Sequence, residues 1–162
     1  MSPSIFVFKV ALSGRKSICR KIAIKGVQTL DDLHEAIYDA FDRDDEHLYS
    51  FFFPKKSGKI NLRKIYNESV EYTSPGMFEG DGGFCKEDQM NAAKTKIDAL
   101  IRKKGQVFYY LFDFGDEWWH EITVEETDAK AEKGQYPRVL ERKGKSPPQY
   151  PDSDEDGEEE EK

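Results

Sequence analysis

The sequence predicts an α+β domain in which an antiparallel, roll-like sheet packs on helices, with a prominent aromatic hairpin towards the C-terminus. Three observations carry that expectation. "IFVFKVALS" alternates Phe6, Phe8, Val10 and Leu12 against Ile5, Val7, Lys9 and Ala11, the two-residue period of a strand. "TLDDLHEAIYDAFDRDD" repeats Leu30, Leu33, Ile37 and Phe41 at helical spacing. "QVFYYLFDFGDEWWHEITVEE" places aromatic and β-branched runs on either side of Gly115 and Asp116, a hairpin signal. A chain of 162 residues suits a single domain with a buried core.

The elements follow in order. Residues 5–13 form the first strand. Ser13, Gly14 and Arg15 turn the chain, and "SICRKIAIKG" (17–26) returns as a second strand. Ile18, Ile22 and Ile24 share its apolar face with Arg20. That arginine must either reach the sheet edge or pair with an acid, an aspartate of the hairpin being the sharper option, because an unpaired buried charge is costly. Residues 29–45 read as a helix N-capped by Thr29, with Asp31, Asp32 and Glu35 early, where the helix dipole favours acids. "HLYSFFFP" (47–54) reads as a buried strand. A polar, uneven stretch then runs to about residue 90, and "SPGMFEGDGGFCKED" (74–88) reads as a long loop. Its "GDGG" lacks the following Lys and Ser/Thr of a phosphate loop. "TKIDALIRKKG" (95–105) predicts a short helix capped by Thr95 and Asp98 and ended by Gly105.

The register of the hairpin decides which side chains meet. A two-residue loop sets Asp113 across from Trp118. A three-residue loop sets Phe112 across from Trp118 and Tyr110 across from His120. The second gathers Phe108, Tyr110, Phe112, Trp118, Ile122 and Val124 on one face, which a sheet packed on helices requires. His120 then sits inside that face, Asp113 and Asp116 lie near the turn, and Gly115 is expected to need a backbone conformation that side chains disfavour. Residues 136–151 hold four of the seven prolines and are expected to run extended over the surface.

The net charge of −7 is local. Residues 152–162 contain eight acids and one lysine, so residues 1–151 hold 24 of each sign. A domain of residues 1–151 followed by a disordered acidic tail, 152–162, is the expected organisation. Cys19 and Cys85 form no CxxC pair, no leader is apparent, and no stretch approaches the roughly 20 apolar residues of a membrane span. A cytoplasmic protein with reduced thiols and no membrane partner is expected.

"FDFGDEWWHEI", "TLDDLHEAI", "DDEHLYSF" and "YPRVLE…SPPQYPD", in this order, resemble the plasmid pRiA4b ORF-3-like family over roughly residues 4–152. The matching positions are Leu33, His34, His47, Leu48 and Phe51; Tyr110, Asp113, Phe114, Gly115, Asp116, Trp118 and His120 in the hairpin; and Pro147 and Pro148. The resemblance implies an α+β fold, an antiparallel sheet curled around helices, and leaves the activity open. Many relatives have Trp at the position of Cys19, and cysteines where Val139, Ser146 and Tyr150 stand here, so a metal held by such cysteines is not expected in this chain. Related proteins travel with insertion elements and some carry resolvase labels. Nothing here resembles a recombinase's serine nucleophile with its arginine cluster.

Three functional readings follow. His34, His47 and His120, with Asp113, Asp116 and Asp44 near them in sequence, offer imidazole and carboxylate ligands for a divalent metal and a hydrolytic water, although no HxxxH or HExxH spacing joins them. Basic clusters at 15–16, 20–21, 55–56, 63–64, 102–104 and 142–145, with Tyr109 or Trp119 as stacking surfaces, would suit nucleic acid if the fold segregates them. The leading reading is a non-catalytic binding or accessory domain with a protein partner, since no nucleophile–base pair emerges. Asp113, Asp116, Trp118, His120 and Arg20 are the ligand-binding candidates under any of these.

Overall fold

The computed structural model describes residues 4–56, 58–78 and 89–147. Their strands form one eight-stranded sheet. The strands are β1 (Ile5–Leu12), β2 (Arg15–Lys25), β3 (Tyr49–Pro54), β4 (Ser69–Thr73), β5 (Met90–Asn91), β6 (Val107–Phe112), β7 (Trp118–Ala129) and β8 (Arg138–Lys143). Their spatial order is β5-β4-β3-β6-β7-β1-β2-β8. The sheet is mixed: β4 and β5 run parallel, and every other neighbouring pair is antiparallel. Helix is limited to α1 (Leu30–Ala40), α2 (Ile65–Glu68), α3 (Ile97–Leu100) and short 3-10 turns. Among the described residues no helix is long and apolar enough to cross a membrane.

Alternation along the strands sorts the side chains into layers. Phe6, Phe8, Val10 and Leu12 of β1, Ile22 and Ile24 of β2, Phe51 and Phe53 of β3, and Phe108, Tyr110 and Phe112 of β6 face Leu30, Leu33, Ile37 and Phe41 in the main core. The reverse face is covered too. Phe52, Tyr109 and Leu111 pack with Ile65 of α2, and Ile5, Val7 and Ala23 pack with Tyr136 and the start of the segment after β7. Tyr109 is buried, its hydroxyl accepting from the Ile60 amide at 3.1 Å, and Trp119 lies against Phe52. Tyr109 is therefore not the open stacking surface that the sequence suggested, and Trp119 is half-buried.

Thr29 caps α1 as expected: its hydroxyl accepts from the Asp32 amide at 3.2 Å while Asp32 accepts from the Thr29 amide at 2.9 Å, a reciprocal capping box. The helix stops at Ala40 rather than continuing to residue 45, because Asp42 turns left-handed at φ 56°.

Several further expectations are corrected. The stretch 55–90 contains α2 and β4, which its charge pattern concealed. Helix α3 is a single turn with no side-chain cap, and Thr95 donates to the Asn91 carbonyl instead. Residues 138–143 are an edge strand on β2, not a surface strap, because the prolines lie outside that stretch and leave its amides free for the ladder. The distal part of the 74–88 loop, including Cys85, together with Pro148, Tyr150 and the acidic tail, lies outside the described residues.

Candidate functional site

The hairpin register is the one that gathers the aromatic face expected on the main core: Phe112 pairs with Trp118, Tyr110 with His120 and Phe108 with Ile122. The connection spans five residues, 113–117, rather than three. Its conformational demand falls not on Gly115, which has no positive φ, but on Asp113 at φ 65° and Glu117 at φ 55°. The Glu117 amide donates to the Asp113 carbonyl at 2.7 Å and closes the turn. One carboxylate oxygen of Asp113 accepts from the amides of Gly115 (3.1 Å) and Asp116 (3.3 Å); the other faces His47 Nε2 at 3.5 Å. Aspartate tolerates the left-handed region because its side chain can bond its own turn in this way. Asp116 is exposed.

His120 is wholly buried. Its Nε2 lies 3.2 Å from Arg43 Nη2 and its Nδ1 3.3 Å from the Tyr110 carbonyl. A guanidinium can only donate and a carbonyl can only accept, so Nδ1 carries the proton and Nε2 is the acceptor. Burial, with Arg43 beside it, pushes the imidazole down to about 3. Arg43 is buried as well. Its guanidinium carbon lies over Phe41, Phe112 and Trp118, 5.1 to 5.4 Å from the ring centres, and the π faces compensate part of its charge. Desolvation pulls its pKa down to about 10. Among the described residues Arg43 Nε and Nη1 and the Trp118 indole nitrogen have no hydrogen-bond partner.

His34 lies on the other side of Tyr110. Its Nδ1 is 2.7 Å from the Tyr110 hydroxyl, its Nε2 is 3.4 Å from a Glu46 carboxylate oxygen, and its ring stacks on Tyr49 at 3.9 Å. The carboxylate needs a donor, so Nε2 carries the proton and Tyr110 donates to Nδ1. Burial pushes this imidazole also down to about 3.

Arg20 pairs with no hairpin aspartate; its head is buried and reaches the edge strand β8. It donates to three carbonyls: Ala40 (2.7 Å), Cys19 (2.8 Å) and Lys143 (2.8 Å). The last turn of α1 has no basic residue of its own, and its unsatisfied carbonyls at the negative end of the helix dipole attract Arg20 and Arg142 instead.

The structure therefore brings His34, Tyr110, His120 and Arg43 into one buried polar chain, keeps His47 at its rim against Asp113, and leaves Arg20 at the far end of α1. The three histidines do not form a common ligand set. The group that does come together, with ligand atoms within 4.8 Å, is His34, Glu35 and Glu46. It borders an open hollow of about 580 Å³ whose lining also includes Asp31 and His47. Desolvation, then mutual repulsion among these acids, raises the pKa of Glu35 and Glu46. One imidazole nitrogen and two carboxylates are donors suited to zinc or manganese, but Nε2 would have to give up its proton and its bond to Glu46. Glu46 and Arg43 were missed in the sequence because "DRDDE" reads as a solvated charge run. Only the fold shows that Arg43 turns inward.

Comparison with known proteins agrees with the resemblance seen in the hairpin. The chain is 29% identical over 152 residues to the uncharacterized protein y4hQ of Sinorhizobium fredii, an alignment covering 92% of this chain and 67% of that protein. The fold resembles the crystal structure of MM3350, a protein of unknown function from Methanosarcina mazei Go1, with a TM-score of 0.69 at 22% identity over 92% of this chain and 74% of that one. The model of the plasmid pRiA4b ORF-3-like protein family matches residues 4–153, and the chain belongs to that family.

Proposed function

We propose that this protein is a non-catalytic binding domain whose aromatic hairpin is its scaffold and not its reactive centre. The observation that carries this reading is the commitment of the polar core. Both buried imidazoles have each ring nitrogen engaged: His34 with Tyr110 and Glu46, His120 with Arg43 and the Tyr110 carbonyl. Among the described residues neither hydrogen-bonds a serine, threonine or cysteine, and burial holds both neutral, with pKa values far below the pH at which a general acid or base shuttles protons. Asp113 likewise spends one carboxylate oxygen on the turn that its own backbone makes.

Recognition is assigned to the surface around this scaffold. Among the described residues the large apolar side chains that stay exposed, Val27, Leu48, Tyr66, Met90 and Leu140, are spread over α2, β5, β8 and the segments leading into α1 and β3, which favours a polar ligand over a single greasy docking face. The test is elemental mass spectrometry of untagged protein after gel filtration, with His34→Gln and His120→Asn alongside. The reading predicts folded wild-type protein without stoichiometric metal, and variants that lose stability. Near-stoichiometric zinc, manganese or iron that disappears in the histidine variants, together with hydrolytic turnover, would overturn it.

A further inference from the structure

We infer that the concavity between the end of β3 and the start of β6 is a binding site for a phosphate-bearing anion, which names the ligand class of the binding domain proposed above and rests on that reading. Strands β3 and β6 are antiparallel neighbours, so the loop leaving Pro54 and the loop entering Val107 emerge at the same end of the sheet. The hollow between them, about 460 Å³, is walled by Pro54 and Val107 and rimmed by Lys55 and Lys56 from one loop and Arg102 and Lys103 from the other. Two basic clusters almost fifty positions apart in sequence thus converge on one cavity, and among the described residues no acid lines it.

The neighbouring lysines sharpen the point. Lys59 and Lys104, on the same two loops, each reach a carboxylate: Glu121 at 3.4 Å and Glu126 at 4.0 Å. Among the described residues no carboxylate lies within ion-pair distance of the four cations at the rim. The 101–106 turn is held in shape by Gln106, whose side chain accepts from the Arg102 amide at 2.7 Å and donates to the Leu100 carbonyl at 3.1 Å. Residues 1–151 hold as many acids as bases, so a basic hollow left uncompensated is a local charge arrangement and not a reflection of composition. A guanidinium gives a planar fork to phosphate oxygens and lysines supply point charges around it.

The source of the phosphate, a free polyphosphate compound or a nucleic-acid backbone, is separated by the probe. Calorimetry with inorganic pyrophosphate and fluorescence anisotropy with a short single-stranded oligothymidylate are compared for the full chain, K55E/K103E, the milder K55Q/K103Q, and K130E/K133E, a reversal of two exposed lysines after β7. The site predicts saturable binding by the wild type, weakened roughly tenfold or more in K55E/K103E, less in K55Q/K103Q, and little by K130E/K133E. The glutamine pair carries the test should charge reversal impair folding, as judged by circular dichroism. Saturation by pyrophosphate assigns a free phosphate compound; loss confined to the oligonucleotide assigns a backbone. No binding of either probe, or equal loss in the control pair, overturns the site and leaves the non-catalytic reading standing. Conversion of pyrophosphate to orthophosphate, or cleavage of the oligonucleotide, by purified wild type would overturn the non-catalytic reading while leaving the site intact.

Discussion

His120 keeps its proton on Nδ1 because its two neighbours permit nothing else, and that constraint has a measurable cost in acid. An imidazole whose folded pKa is about 3, against about 6.5 unfolded, takes up its proton first in the unfolded chain. Its contribution to stability is complete above pH 6.5 and is lost progressively as pH falls from there towards 3. His34 acts with the same sign in the same window. Glu35 and Glu46, with raised pKa values, oppose the trend only near the ordinary carboxyl range. The urea midpoint is expected to fall between pH 7 and pH 5, with a shallower fall in His34→Gln. A flat profile in the wild type would contradict buried neutral imidazoles. The turn gives a second residue-scale prediction. Gly115 has ordinary φ, and an added Cβ would stand 3.5 Å from the Asp113 carboxylate, so Gly115→Ala should change stability by no more than about 0.5 kcal/mol. Glu117→Asn, at φ 55°, should stabilise by up to about 1 kcal/mol, since asparagine tolerates the left-handed region better. Thermal melts would show both. The sequence announced a demanding turn in "DFGDE" but not its location: Gly at the centre is the usual signal, whereas here the flanking acids take the strain because the turn closes through five residues.

At the scale of elements, Arg20 joins three pieces of structure: the end of α1, its own strand β2, and the edge strand β8. Arg20→Met keeps much of the packing on Phe41 but takes the Arg20 donor from the Cys19 and Lys143 carbonyls and leaves the Ala40 carbonyl with Arg142 alone. It should destabilise by about 2–4 kcal/mol and speed hydrogen exchange in β8 and the last turn of α1 before it does so elsewhere. Uniform exchange across the sheet would argue against this local tie. The start of α1 was legible, because its capping box and apolar spacing are local signals. Its end was not: "DAFDRDD" continues the helical composition, and the stop comes from a left-handed Asp42 and from an Ala40 carbonyl capped by arginines 20 and 102 positions away. The second layer was hidden for a similar reason. In "YSFFFP" and "VFYYLF" both faces are aromatic, so period alone could not tell a solvent face from one covered by α2. Tyr109→Phe removes the hydroxyl that accepts from Ile60 and should cost about 1 kcal/mol while loosening residues 60–68.

Over the whole molecule, the hairpin register follows from one requirement, that Phe108, Tyr110, Phe112, Trp118 and Ile122 share the face of the main core. Once Tyr110 stands opposite His120, the polar chain from exposed Glu46 through buried His34, Tyr110 and His120 to Arg43 has its place, and the sequence contained enough to find the pairing but not the chain. Arg43 and Glu46 enter it from a segment whose charges look solvated. The convergence of Lys55 and Lys56 with Arg102 and Lys103 is a consequence of strand order, which no local pattern specifies. The central claim is that the histidine core is scaffold. Long-range proton–nitrogen correlation of the imidazoles in uniformly labelled protein, followed from pH 7.5 to 4.5 and repeated with one equivalent of zinc, tests it most directly. The account predicts His120 with Nδ1 protonated and Nε2 bare, His34 with the opposite tautomer, neither titrating above about pH 4 and neither shifted by zinc. Titration near pH 6.5, or a zinc-induced shift of the His120 nitrogens, would place a reactive centre at the hairpin and contradict it.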